Sequence, residues 1–240
     1  MPWDFALILG VLGFLIPWRG AARVRELLRR PALTSNERIR LYLSTIVAQW
    51  AAAALVLWRA RARGIDFDAL GMALPEPGLT LAVAFVLCLA FAAVQILSFR
   101  RLARLPPERR GLLGQLAEKL MPQGSRETVF FIALAATAGL CEEFLYRGFV
   151  FAAVERATGS LAFAGLASSL FFAVAHLYQG PRGLMSTFGA GLIFAAARMA
   201  TGSLVAPVAA HFLADAMAGL AARRSLATPE RPLAASLTDK

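Results

Sequence analysis

Long apolar segments, separated by short polar or charged connectors, make up most of this chain. A membrane-spanning helix needs roughly 20 apolar residues, so most of the segments can cross a bilayer, and the first is marginal. The segments lie at residues 3–18, 41–58, 79–99, 128–151, 160–178, 183–201 and 204–222. Their runs are too long and alternate too little for the strands of a membrane barrel. The pattern therefore predicts an all-α transmembrane bundle of about seven spans, within a range of six to eight.

The composition also favours a membrane protein. Hydrophobic residues make up 58% of the 240 residues and charged residues only 17%, whereas a soluble domain carries roughly 25% charged residues. A soluble protein of this size could not hide so much apolar surface in one core. We therefore expect a single membrane domain over residues 1–222. The tail at 223–240 has few large apolar residues, and we expect it to be disordered and cytoplasmic.

Basic residues lie in the connectors rather than on one face. The net charge is +10, and with the N-terminus outside the cell 19 of the 25 lysines and arginines face the cytoplasm, against five on the other side. The positive-inside rule therefore predicts a multi-pass protein of the inner (plasma) membrane, with its N-terminus outside and its C-terminus cytoplasmic. Such connectors meet anionic membrane lipids. No base-reading motif is present, so nucleic acid is not an expected partner.

The connector between the third and fourth segments has a pattern of its own. Leu112, Leu116 and Leu120 recur at helical spacing among charged side chains within residues 103–121. This spacing predicts an amphipathic helix lying on the membrane surface. An ordinary solvated connector is equally consistent with the pattern.

Charged residues inside the apolar segments are few, and they carry the functional prediction. An acid or base at mid-bilayer costs around 3 kcal/mol on insertion scales, so such groups usually face the bundle interior and have a function. Glu143 and Arg147 lie at i and i+4 with the acid first, the favourable order for a helical ion pair. Glu142 projects about 100° away around the helix and has no local partner. We therefore predict that the pair is structural and that Glu142 transfers protons. A polar cluster that only joins helices is the alternative.

The chain's two histidines also lie inside apolar segments. Phe172 and His176 are four residues apart, as are His211 and Asp215, so each pair shares one helix face. Taken alone, each histidine could be a hydrogen-bonded core residue. Together with Glu142 they predict a shared cavity, in which Glu and His activate water while the other His and Asp stabilise an oxyanion or bind a metal.

Peptide hydrolysis requires such a set, and two other chemistries stay open. Two histidines and a carboxylate would also suit zinc, which Glu142, His176 and His211 would hold, although the chain has no HExxH helix. Cys141 beside Glu142 permits a cysteine nucleophile, but a membrane-buried thiol without a cationic activator is poorly suited to that role.

Three motifs in combination resemble the CAAX-prenyl endopeptidase family, the CPBP group of membrane proteases that is also called Abi. The motifs are Glu142-Glu143-x-x-x-Arg147, Phe172-x-x-x-His176 and His211-x-x-x-Asp215. Each is short, but their order in three successive apolar regions is specific. The resemblance covers about residues 121–220, which would form the protease core, and residues 1–120 match only as generic leading helices.

The resemblance implies an intramembrane endopeptidase in a helical bundle. It implies that Glu142 and His176 activate the attacking water and that His211 and Asp215 face the scissile carbonyl. The supporting residues would be Glu143, Arg147 and Phe172. Family members have been described both as metalloproteases and as metal-free, glutamate-dependent proteases, so zinc stays open. Asp215 stands where asparagine is common in the family, and a carboxylate lacks the N–H donors of an amide.

The expected substrate is a peptide or a membrane protein. A composition rich in Arg and Ala is typical of a high-GC bacterium, where prenylated substrates are not expected. Two other classes of function stay open. A proton-coupled transporter would show symmetry between the halves of the chain, and a non-catalytic immunity or scaffold protein would use the cavity only to bind.

The predicted topology contains one conflict. Glu142 lies about 20 Å from the cytoplasmic start of its helix, whereas His176 lies near the cytoplasmic end of the next segment. For these side chains to meet, a helix must be tilted, broken near Gly148 or begin deeper than the pattern indicates.

Overall fold

A computed structural model describes residues 1–30 and 32–226. Within these residues the chain forms eight helices and no strand, which confirms the predicted all-α class. Helices α1 to α8 are Trp3–Arg29, Ser35–Ala62, Pro77–Arg104, Gly111–Leu120, Ser125–Thr158, Leu161–Ala175, Gly180–Thr201 and Val205–Leu226. The predicted disordered tail begins too early at residue 223, because α8 continues to Leu226 and Arg223 donates to Thr128 and Ser125 at the start of α5. The rest of the predicted tail lies outside the described residues.

All seven predicted apolar segments are helical. Six helices are long and apolar enough to cross a membrane: α1, α2, α3, α5, α8 and the helical segment Leu177–Thr201 that contains α7. The remaining segment, α6, is a shorter apolar helix of 15 residues. The predicted surface helix at 103–121 is shorter than expected, because α3 continues to Arg104 and α4 begins only at Gly111. The chain is thus a multi-pass membrane protein.

Local sequence signals set several of the helix ends. The Thr34 hydroxyl accepts a hydrogen bond from the Glu37 amide, and the Glu37 carboxylate accepts one from the Thr34 amide, which is a capping box at the start of α2. The Ser160 hydroxyl accepts from the Phe163 amide at the start of α6. Gly159 after α5 has a φ of +69°, a left-handed conformation that glycine adopts at low cost.

Polar contacts at the two ends of the bundle hold the helices in register. At one end, Arg38 Nε on α2 donates to Glu127 Oε2 on α5 over 2.8 Å, and Lys119 on α4 donates to backbone carbonyls at the end of α1. At the other end, Asp4 on α1 pairs with Arg59 and Arg63. Connectors that the charge count assigns to one side of the membrane therefore lie at the same end of the bundle. Which end faces the cytoplasm stays a prediction.

Helix α5 is the central element, since it packs against α2, α6 and α8. Its approach to α8 is close at Gly139. A Cβ atom at this position would lie 3.1 Å from the backbone nitrogen of Phe212 and 3.1 Å from the carbonyl oxygen of Val208. This spacing is tighter than ordinary van der Waals contact, so a larger residue would require the two backbones to move apart by a few tenths of an ångström. The close approach brings the carboxylates of α5 next to the histidine of α8.

The hairpin formed by α5 and α6 resolves the conflict in the predicted topology. Glu142 and His176 are equally distant in sequence from Gly159, the turn residue, so antiparallel packing places them at the same level. The 15 residues of α6 span about 22 Å, which is less than the roughly 30 Å of a hydrocarbon core. His176 therefore lies at depth, and the helix is not broken near Gly148. A π-helical stretch, Phe144–Val150, covers that position.

We predict that Gly139→Val destabilises the protein by roughly 1–3 kcal/mol, because the added methyl groups overpack the contact between α5 and α8. Gly189→Val is the matched control, since a Cβ at Gly189 would meet no atom within 4 Å. Thermal unfolding in one detergent measures both variants. Equal losses of stability would contradict the close approach.

Candidate active site

A fully buried charge cluster forms the base of the site. Glu143 and Arg147 are both 0% exposed, and Arg147 Nη1 donates to Glu143 Oε1 over 2.9 Å, which is the predicted helical ion pair. His211 Nδ1 on α8 donates to the same oxygen over 2.8 Å. Because an ionised carboxylate only accepts, Nδ1 carries a proton and Nε2 points away from Glu143. One acid thus holds a cation on its own helix and an imidazole on another.

The Arg147 guanidinium lies in an aromatic and glycine-lined space. Its Cζ is 4.1 Å from the ring centroid of Phe172 and 5.3 Å from that of Phe194. These distances are within cation–π range. A Cβ at Gly191 would lie 3.2 Å from Arg147 Nη2, so glycine leaves room for the guanidinium. Ring faces and one carboxylate together stabilise a charge that the apolar bundle would otherwise exclude.

Glu143, rather than Asp215, orients His211. Asp215 shares a helix face with His211 and is the other carboxylate that could do so. In the structure Asp215 Oδ2 lies 3.6 Å from His211 Nε2, which is longer than a hydrogen bond, and the Asp215 side chain is 39% exposed. The reason is tertiary: α5 packs tightly on α8, so the Glu143 carboxylate reaches the inward nitrogen. Asp215 is left near the open side of the imidazole.

Glu142 projects from a different side of α5 than Glu143 and has different partners. Its Oε1 accepts a hydrogen bond of 2.6 Å from Gln49 Nε2 on α2. Its Oε2 lies 3.8 Å from His176 Nε2 and, within the described residues, has no hydrogen-bond partner. The predicted separation of the two acids is therefore present in the geometry. Glu143 is paired with a cation, and Glu142 retains one oxygen for another donor.

His176 ends α6 and is held by its own helix. Its Nδ1 lies 2.8 Å from the carbonyl oxygen of Phe172. Because a carbonyl only accepts, this contact assigns the Nδ1 proton and makes Nε2 an acceptor in the neutral ring. Nε2 then faces Glu142 Oε2, which is also an acceptor. Two acceptors at 3.8 Å require a donor that reaches both, and a water molecule has two hydrogens to give.

Phe172, predicted as a supporting residue, joins the two halves of the site. Its ring centroid is 4.7 Å from that of His176 and 5.6 Å from that of His211. Tyr146 contacts it in a T-shaped arrangement at 5.5 Å. Both imidazoles therefore pack against one aromatic ring, which fixes their positions relative to each other.

The residues of the site differ in exposure. The ion pair at the base is completely buried, the side chains of His176 and Glu142 are 16% and 17% exposed, and Asp215 is the most exposed of the set. Glu142 and His176 are therefore partly accessible, whereas Glu143 and Arg147 are not.

The donor groups do not assemble into a metal site. Among the residues that the structure describes, no three His, Cys, Asp or Glu side chains are grouped so that they could hold a metal ion. The three predicted zinc ligands, Glu142, His176 and His211, are therefore not grouped around a common metal position in this geometry.

Sequence reasoning missed Gln49, Phe194 and Gly191. Gln49 is a polar residue within the second apolar segment, and a search of the spans for uncharged polar groups as well as charged ones would have found it. Phe194 stacks on His211 with centroids 5.7 Å apart. Neither Phe194 nor Gly191 differs in kind from its apolar neighbours, so the sequence contains no signal for them.

The fold and the site together define a polytopic helical membrane protein with an acid–histidine centre inside its bundle. Residues 124–217 match the family model described as Type II CAAX prenyl endopeptidase Rce1-like. This match confirms the predicted resemblance to the CPBP family of intramembrane proteases over residues 124–217. No curated protein and no solved structure matches the chain. The match contains the predicted site residues and excludes Gln49.

We predict that Arg147→Met destabilises the protein by about 3–5 kcal/mol, because it leaves the Glu143 carboxylate buried without its cation. Arg156→Met is the control, since Arg156 lies exposed on the same helix and an exposed substitution usually costs less than about 0.5 kcal/mol. Chemical denaturation in mixed micelles measures both. Similar losses of stability for the two substitutions would show that the buried ion pair contributes no more to stability than an exposed arginine does.

Proposed function

We propose that this chain is an intramembrane endopeptidase that hydrolyses a peptide bond with water activated by Glu142 and His176. The observation that carries the proposal is the pair of facing acceptors, Glu142 Oε2 and His176 Nε2, 3.8 Å apart in a partly exposed part of the bundle. A water molecule that donates to both is oriented and made more nucleophilic.

In the first step the water oxygen attacks the carbonyl carbon of the substrate. A C–O bond forms as Glu142 takes the water proton, and His176 holds the second hydrogen. The carbonyl oxygen becomes an oxyanion. In the second step the C–N bond breaks, and Glu142 returns its proton to the leaving amine. One water is consumed, and a carboxyl and an amine terminus are produced.

His211 is suited to stabilise the oxyanion. Glu143 accepts from its Nδ1, and Asp215 lies near its Nε2. Two carboxylates on either side of an imidazole favour its doubly protonated form, which presents an N–H at Nε2 to a developing negative charge. Asp215 itself has no N–H, so in this proposal it acts through His211. This differs from an amide at the same position, which could donate directly.

The substrate class follows from where the site lies. Glu142 lies within a helix apolar enough to span a membrane, and His176 lies between apolar helices. The membrane segment of a protein or peptide is already removed from bulk water, so it can approach such a site without giving up further hydrogen bonds to water. We therefore propose a membrane peptide or membrane protein as the substrate, in the inner membrane.

Glu142→Gln is expected to lower kcat by about 10²–10⁴-fold, because the amide keeps the shape of the side chain but cannot take a proton. Glu155→Gln, a change on the same helix near the Gly159 turn, is the control and should retain the wild-type rate. Cleavage of quenched fluorescent transmembrane peptides by the three proteins in one detergent measures this. An unchanged rate for Glu142→Gln would remove the assignment, and binding without cleavage by the wild type would favour a scaffold protein.

Chelation is expected to leave the activity unchanged, because the donor groups are not assembled around a metal position. The protein would be incubated with 1,10-phenanthroline, exchanged into metal-free buffer and assayed with the same peptides. A loss of activity that returns on addition of Zn²⁺ would show that the donors rearrange around zinc, and the side-chain mechanism would then be wrong.

A further inference from the structure

The hydrogen bond from Gln49 to Glu142 joins the first half of the chain to the candidate active site. Gln49 Nε2 donates to Glu142 Oε1 over 2.6 Å. Gln49 lies on α2, well outside the matched family region at 124–217. The helices that precede the protease core therefore supply a side chain to it.

The Gln49 amide has no other evident reason to be buried there. Its oxygen, Oε1, is inaccessible and has no hydrogen-bond partner within the described part of the chain. A buried polar atom without a partner disfavours folding. The fold keeps the amide in this position despite the cost of its buried oxygen. The hydrogen bond to Glu142 is the interaction that this position provides.

Two further polar contacts between α2 and α5 fix the position of Gln49. Beside it, Trp50 Nε1 on α2 lies 3.3 Å from Thr137 Oγ1 on α5 and donates to it. Near the start of both helices, Arg38 contacts both carboxylate oxygens of Glu127, at 2.8 and 3.1 Å. These contacts prevent α2 from sliding along α5. The reach of the amide to Glu142 is therefore set by the helix pair.

The two adjacent glutamates differ in the charge of their partners. Glu143 is paired with the Arg147 guanidinium, whereas the amide of Gln49 is neutral. In the proposed mechanism the proton goes to Glu142 Oε2, so Oε1 stays an acceptor. Gln49 Nε2 can therefore donate to it before and after the transfer. A cation in the same place would oppose protonation.

We propose that Gln49 is a positioning residue for Glu142, which fixes Oε1 so that Oε2 faces His176 and the attacking water. This inference rests on the proposed function. It predicts a defect in the chemical step and not in substrate binding, because Gln49 touches the proton acceptor and not the scissile bond.

Gln49→Met tests the proposal, since Met keeps the length of the side chain and removes the donor. We expect kcat to fall by about 10- to 100-fold, as a misplaced catalytic group does, while KM stays within about twofold. Gln49→Asn withdraws the amide by one methylene and should give an intermediate kcat. If the Met variant fails to fold, the Asn variant decides the question.

Gln123→Met is the matched control. Gln123 lies in the connector before α5 and accepts from Arg38 Nη2 on α2 over 2.9 Å, remote from the site. The substitution should lower the thermal midpoint and leave kcat at the wild-type value. A kcat of the Gln49 variants equal to that of the wild type would overturn the proposal, and so would a defect confined to KM.

The inference and the proposed function fail in different ways. If the wild type cleaves, Glu142→Gln does not, and both Gln49 variants match the wild type, only the positioning role is wrong. If Glu142→Gln retains the wild-type rate, the proposed function is wrong. A lower kcat of the Gln49 variants could then not be explained by an effect on Glu142.

Discussion

The structure depends on the pairing of charges inside an apolar bundle. Glu143 and Arg147 are completely removed from solvent, and each offsets the cost of burying the other because they lie within hydrogen-bonding distance. His211 joins this pair from another helix. The ion pair also attaches α8 to α5 and sets the orientation of the His211 imidazole. Stability of the bundle and geometry of the site thus share the same three side chains.

The adjacent residues Glu142 and Glu143 have different surroundings, which suit them to different chemical roles. Glu143 points toward a cation at the buried base, and Glu142 points toward a neutral amide, a histidine and the partly exposed side of the site. Proton transfer needs a group whose protonation can change during the reaction. A fixed ion pair beside a group with neutral partners is an arrangement in which only one of the two acids can exchange a proton easily.

Much of the fold follows from the sequence alone. Runs of apolar residues must become helices in a membrane because no water is available to satisfy the backbone, and the seven apolar segments are helical in the structure. The spacing of Glu143 and Arg147 also determines their pairing, because residues four apart meet on one helix face. Glycine after α5 marks a turn, and with that turn as a reference the common level of Glu142 and His176 could have been predicted.

Contacts between distant segments were decided by the tertiary structure. The partner of His211 is Glu143 because Gly139 allows two helices to approach closely, and no spacing along the chain encodes which carboxylate is nearer. The amide that holds Glu142 comes from α2, far away in sequence. Helical periodicity states which residues share a face, and it cannot state which face of another helix they meet. For that reason the sequence by itself determined the elements and the chemical groups of this protein, whereas packing alone decided the pairs that they form.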